Sequence, residues 1–240
     1  MPAPVAGRGW RRRLRREALA LLGHAGPLVL VVAAAWHLPL PWNPFMPLDV
    51  RQPAGPLDRA KLRRLGDRPA ACHAFLESAG QRFEPLPDRA VEAGCGWRDA
   101  VRVGGGPGLR WSPVPLTCHS AAALALWQHR VLQPQARAAF GQPVQRLEHF
   151  GSYACRDVAG TGRRSGHARA RALDVAGVVL ADGRRITVSS HWDGPPDAAA
   201  FLRALRDGAC ASVDQVLSPD HNAAHRDHLH LEQGGWRACR

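Results

Sequence analysis

The sequence predicts an α+β fold: N-terminal helices packed on a mostly antiparallel sheet, preceded by one transmembrane helix or signal segment. Three observations predict it. An Ala- and Leu-rich stretch at 119–141, "HSAAALALWQHRVLQPQARAAFG", has the composition of a helix. After residue 143, short apolar runs alternate with polar residues and are separated by turn residues, as strands are. Ahead of both, the nineteen residues from Ala18 to Trp36 carry no Asp, Glu, Lys or Arg, and a cluster of arginines precedes them.

The elements follow in order. Residues 1–17 form a basic segment in which six arginines and Glu17 make up "RGWRRRLRRE". Residues 18–38 are the anchor or signal peptide, because nineteen residues at the helical rise span a hydrocarbon core of about 30 Å. The positive flank places the N-terminus in the cytoplasm and sends the rest across. "AAA" at 33–35 offers a cleavage site, so anchor and signal both stand. Residues 39–60 are rich in proline, which resists regular structure, and are expected to be a stiff linker. The globular domain is then 61–240. Within it, the 119–141 helix divides near Gln133 and Pro134, since the residue before proline disfavours helix. "PVQRLEHFGSY" is a half-buried strand, and "ALDVAGVVLADGRRITVSSHW" is two strands about Asp182-Gly183, where Gly accepts the positive φ of a hairpin turn. "DAAAFLRALRDG" is an amphipathic helix with Asp197 capping it and Gly208 just past its end. "VDQVLS" and "HLHLE" are further strands.

Charge and cysteines bound the partners. The net charge of +12 suggests a polyanion at first, but +5 of it sits in residues 8–17 and Lys61 is the only lysine. No nucleic-acid partner is expected. Cys72, Cys95, Cys118, Cys155, Cys210 and Cys239 are widely spaced and include no CxxC pair, so in an exported chain they read as up to three disulfides, with the pairing left open.

The stretch "HNAAHRDHLH" holds four of the twelve histidines. On a strand, His228, His230 and Glu232 share one face while Leu229 and Leu231 pack behind. Upstream, His167 precedes Asp174 by seven residues, and a carboxylate at the head of an apolar strand is costly unless paired or bound to metal. Two imidazoles and one carboxylate form a ligand set that zinc (Zn2+) favours, with a fourth position left for an activated water. Asp227 and His228 stand by as the general base, and Arg156 in "GSYACR" as the cation for developing charge. Glu232 at the strand's end reads as a solvated carboxylate, and His225 as a cleft-lining, substrate-binding residue.

The run "GSYACR…SGHARARALDVAG…LADGRRITV…FLRALRDGAC…VLSPDHNAAHRDHLHLE" resembles the bacterial extensin-like C-terminal domain family. The resemblance extends back through "CGWRDAVRV" and "ALWQHRVLQPQAR", over residues 68–233. That family is similar to the zinc peptidases related to D-Ala-D-Ala carboxypeptidase, lysostaphin and hedgehog, which implies their fold. It implies His167, Asp174 and His230 as metal ligands, with Ser165 beside the first of them and assigned to substrate binding. Either His228 or Asp227 is the base, and Arg156 the substrate-binding arginine. Where that superfamily usually has Gly, this chain has Ala170, which reads as a small packing change that removes no ligand.

The expected function is an exported zinc metallopeptidase, of carboxypeptidase or endopeptidase type, hydrolysing an amide in peptidoglycan peptides. Its expected place is the inner membrane, single-pass with the C-terminal domain in the periplasm, or the periplasm itself if the N-terminal segment is cleaved. The alternative is a non-catalytic zinc-containing module that binds cell-wall peptides or serves the envelope structurally. Oligomeric state is left open.

Overall fold

The structure, a computed structural model, describes residues 9–240. The first eight residues of the basic segment lie outside them. The described residues form two compact units, one ending at Pro47 and one running from Leu48 to Arg240. The first contains helix α1, Gly9–Trp36, with Pro27 inside it. The expected span at 18–38 lies almost wholly within this helix. It finds no support as a span: among the described residues no helix is long and apolar enough to cross a membrane.

The second unit begins earlier than expected. Leu48 and Val50 are buried in the main core, so the latter part of the expected 39–60 linker is packed rather than a free spacer. Arg130 fixes this segment by an ion pair to Asp58 at 2.5 Å and a hydrogen bond to the Asp49 carbonyl at 2.8 Å. Helices α2 (Asp58–Gly66) and α3 (Pro69–Ser78) follow. Five strands come next, where the sequence predicted helices early and sheet late: β1 (Phe83–Pro85), β2 (Arg89–Glu92), β3 (Cys95–Trp97), β4 (Ala100–Gly106) and β5 (Leu109–Thr117).

Helix α4, Cys118–Trp127, is buried on nearly every side, which suits its unbroken run of Ala and Leu. The expected division before Pro134 is a single π-helical turn, Gln128–Leu132, which passes into α5, Gln133–Phe140, with Pro134 in the first turn. Beyond it come β6 (Val144–His149), β7 (Ala172–Leu180), β8 (Arg185–Thr187), α6 (Val188–His191), α7 (Pro196–Ala209), β9 (Gln215–Leu217), β10 (Leu229–Glu232) and β11 (Ala238–Cys239). Residues 188–191 thus turn helical where strand was expected. Gly208 lies inside α7 rather than past its end, and Val131 packs against it so closely that a Cβ there would collide. Asp197 accepts only from the next amide, and no side chain caps that helix.

Among the described residues nine strands form one mixed, mostly antiparallel sheet in the order β1-β4-β5-β6-β7-β10-β9-β11, with β8 pairing the second half of β7. The parallel pairs are β5 with β6 and β9 with β11. β7 is the central strand and is buried along its whole length. A register shift opposite Glu148 and His149 leaves Ala176 unpaired with β6. Consequently Leu173 and Val175 face the core before the shift and Val178 and Leu180 after it, which leaves Asp174 and Ala176 on the opposite face. β5 and β6 share one ladder position, Arg110 with Arg146, beyond which the His149 side chain bonds the Ser112 carbonyl at 2.9 Å.

Three disulfides join Cys72–Cys118, Cys95–Cys155 and Cys210–Cys239, which accounts for all six cysteines. Replacing Cys95 and Cys155 by serine is expected to cost about 2–4 kcal/mol by releasing a long loop in the unfolded chain, checked by urea denaturation.

Candidate metal centre

The site is assembled where the 150–170 segment crosses the head of β7. Backbone bonds Phe150 N to Asp174 O (2.9 Å) and Asp174 N to Gly151 O (3.2 Å) lay the segment beside β7. Ala154 N then bonds the His167 carbonyl at 3.2 Å. His167 sits in a short 3-10 turn, Gly166–Arg169, which Ser165 caps by accepting from the His167 amide at 3.4 Å. The β2–β3 hairpin clasps this turn. Arg169 donates to the Gly94 carbonyl, Arg164 to the Ala93 carbonyl, and the Cys95–Cys155 disulfide closes the clasp.

The three expected ligands converge. β10 pairs with β7 in a register that sets His230 opposite Asp174, and His167 descends from above. His167 Nε2 lies 3.1 Å from Asp174 Oδ2 and 3.2 Å from His230 Nδ1, and His230 Nδ1 lies 2.9 Å from Asp174 Oδ1. All three residues are buried. Strand alternation is also as expected: Leu229 and Leu231 lie in the core behind them.

The outer nitrogens of the two rings decide what the inner ones can do. His167 Nδ1 is 2.6 Å from the Ser152 carbonyl, which only accepts, so Nδ1 carries the proton and Nε2 presents a lone pair. His230 Nε2 is 3.1 Å from the Glu232 carboxylate, so Nε2 donates and Nδ1 faces inward. Two imidazole nitrogens stripped of their own protons therefore oppose each other at 3.2 Å, beside a carboxylate. Such a triangle needs a cation or a shared proton at its centre. Its sides match the spacing of about 3.3 Å that tetrahedral ligands about 2.0 Å from a metal would have. These residues could hold a metal ion.

Without a metal, protons fill the role. Burial works against a charged Asp174, but hydrogen bonds from His167 and His230 outweigh it and hold the carboxyl far below its usual range. Burial likewise works against protonated His230, yet Asp174 and Glu232 push its pKa up to about 9.

The other expected residues are placed as follows. His228 precedes β10, with Nε2 3.5 Å from Asp174 Oδ1 and Nδ1 2.8 Å from Asp227 Oδ1. The two candidates for the base are thus partners in one dyad. His225 packs on His228 and His230, with ring centres 5.3 and 5.8 Å away. Burial, then the neighbouring His230, His228 and His221, lower its pKa to about 4, so its ring is neutral over the physiological range. Ser165 serves the turn as a cap. Arg156 is exposed, and among the described residues its guanidinium makes no hydrogen bond or ion pair with the site; its backbone carbonyl accepts from the Ser165 amide at 3.1 Å.

Glu232 corrects the sequence reading. Expected in solvent, it is largely buried and orients His230. Alternation had already put it on the face of His230, and that was the available signal. Gly166 makes room for it, since a Cβ there would collide with the Glu232 carboxylate. Ala170 is a second correction. It adopts left-handed backbone, φ +51°, so the departure noted there is conformational rather than a matter of packing. The Ser152 carbonyl and the Phe150 ring, which packs edge-on to His228 at 5.8 Å, were not singled out at all.

Residues 70–240 match the family described as extensin-like protein C-terminus, and the chain belongs to that family. No curated protein and no solved structure matches it.

Gly166→Ala is expected to displace Glu232 and weaken metal binding about 10–100-fold without unfolding the chain, as read by competition with a chromophoric chelator. The pH dependence follows from His230. Its raised pKa stabilises the metal-free fold fully below about 6.5, and that contribution is lost as pH rises through about 9. A divalent cation must displace this proton. Its affinity should therefore rise about tenfold per pH unit up to pH 9, with one proton released, as measured calorimetrically in buffers of different ionisation enthalpy.

Proposed function

We propose that this extensin-like domain is a zinc-dependent hydrolase that cleaves an amide bond in peptidoglycan peptides on the exported side of the inner membrane. The observation that carries the reading is the inward-facing His167, Asp174 and His230 triangle, whose outer nitrogens are both engaged. Nitrogen and oxygen donors in a three-residue set suit zinc with a position open to a ligand. The substrate class of this proposal comes from the resemblance of the Ser165, His167, Asp174 and His230 pattern to the D-Ala-D-Ala carboxypeptidase and lysostaphin peptidases.

A zinc ion in this pocket would polarise the amide carbonyl and acidify the attacking water. The chain's residues supply the rest. Asp227 accepts the Nδ1 proton of His228 and fixes the ring so that Nε2 faces the pocket. His228 Nε2 takes a proton from the attacking water and returns it to the amine that leaves. Phe150 and the neutral His225 ring flank His228 and limit the access of bulk water to it.

Three disulfides support export, since they persist in oxidising compartments. The exposed Leu28, Val29, Leu30 and Val31 of α1 behind the basic segment support a membrane-directed leader, either kept as an anchor or cleaved.

One observation favours the second reading, a non-catalytic metal module that binds wall peptides: no arginine side chain contacts the three ligands among the described residues. A single experiment separates the two. The purified protein should carry about one zinc and release new peptides from muropeptides, followed by mass spectrometry. His228→Ala should lower the rate about 10²–10⁴-fold with zinc content unchanged. Equal products at equal rates from both proteins would exclude catalysis, and absence of bound metal after reconstitution would exclude both readings.

A further inference from the structure

Beside the metal centre lies a second feature that the proposed chemistry does not use. β5 and β6 share a single ladder position, and His149 of β6 then bonds the Ser112 carbonyl of β5 at 2.9 Å. The face they share with Ala176 and Arg185 carries a groove of about 570 Å³, within the range of small-molecule and peptide sites. Arg110 stands on β5, Arg146 on β6 and Arg185 on β8, and all three are exposed. One acid is among them. Glu148 reaches Arg185 at 2.7 Å and Arg146 at 3.6 Å, which leaves the groove with an excess of two positive charges. Arg110 has no ion-pair partner among the described residues.

The groove and the metal centre share walls. Phe150 lines the groove and sets its ring edge against His228. Ala176, on the groove floor, follows Asp174 by two residues on the same face of β7, and its small side chain keeps the floor low. A chain lying in the groove would therefore end at the candidate base. The arginines stand in one row across the sheet, Arg146 in register with Arg110 on one side and, through Val179, with Arg185 on the other. That row suits the carboxylates at one end of a peptide whose remainder lies along β6 toward Phe150.

We propose that this groove is a carboxylate-binding subsite that holds the acidic peptide on one side of the bond to be cut. The proposal rests on the reading of the metal centre as a peptidase and names how its substrate is held. It gives the groove arginines the anchoring role that the sequence assigned to Arg156.

The test measures equilibrium binding of muropeptides with free carboxylates, and of the same muropeptides after carboxyl amidation, to the full chain carrying His228→Ala so that turnover does not interfere. Amidation should weaken binding about tenfold, and less at high salt. The further substitutions Arg110→Gln, Arg146→Gln and Arg185→Gln together should weaken binding of the acidic peptide about tenfold and leave the amidated one unchanged. Ala176→Leu, which keeps the charge and fills the floor, should weaken both. This second variant keeps the proposal testable if the triple variant folds poorly. Equal binding of the two peptides, or no loss in either variant, would overturn the proposal. So would displacement of the peptide by heparin at matched charge concentration in the triple variant as readily as in its parent. The two readings fail separately. Peptides cleaved by the wild type, and cleaved with an unchanged KM when the three arginine substitutions are made in the chain that keeps His228, would sink the groove and leave the peptidase. Carboxylate-dependent binding without cleavage would do the reverse.

Discussion

The site depends on one electrostatic constraint: a carboxylate buried at the head of the central strand. Asp174 occupies a position that apolar residues fill elsewhere on β7, and a charge there is tolerable only if its neighbours compensate it. His167 and His230 do so from two directions. Each of those rings is held in turn by an acceptor on its far side, one a backbone carbonyl and one the Glu232 carboxylate. Remove the acid and two imidazoles face each other with nothing between them. The surrounding architecture, from the capped turn to the hairpin clasp, serves to keep these groups from relaxing apart.

Much of this was legible in the sequence because it obeys short-range periodicity. Alternation on "HLHLE" placed the leucines in the core and the histidines opposite, and the apolar run after Asp174 marked a central strand. The hairpin at Asp182-Gly183 was legible for the same reason, since Gly183 adopts φ +89°. Glu232 was misread because a strand's last residue was assumed to reach solvent; the feature that buries it, a missing side chain at Gly166, lies far off in sequence.

The strands ahead of α4 were not legible, and the reason is physical. β4 ends in three glycines and β5 carries Pro113 and Pro115, residues that argue against a strand interior. They are tolerated because β5 lacks a continuous partner on its β6 side. The Pro115 carbonyl faces Ser152 there, so the missing amide falls where no ladder exists to be broken. The same local rule that hid the strand from sequence reading leaves the opening beside it. Arg156 is exposed, and proximity in sequence to the ligand turn does not determine which way a long exposed side chain points.

The Cys95–Cys155 bond joins the hairpin to the segment that delivers Ser152 and His167, yet neither sulfur touches a ligand. Between β6 and β7 that segment has little ladder of its own, so part of its order comes from the crosslink. The crosslink thus shares with the Arg164 and Arg169 hydrogen bonds the ordering of the segment that carries His167. In the reduced chain the two halves of the clasp would be held by hydrogen bonds alone, so the position of the His167 turn would be set less firmly until the thiols meet an oxidant.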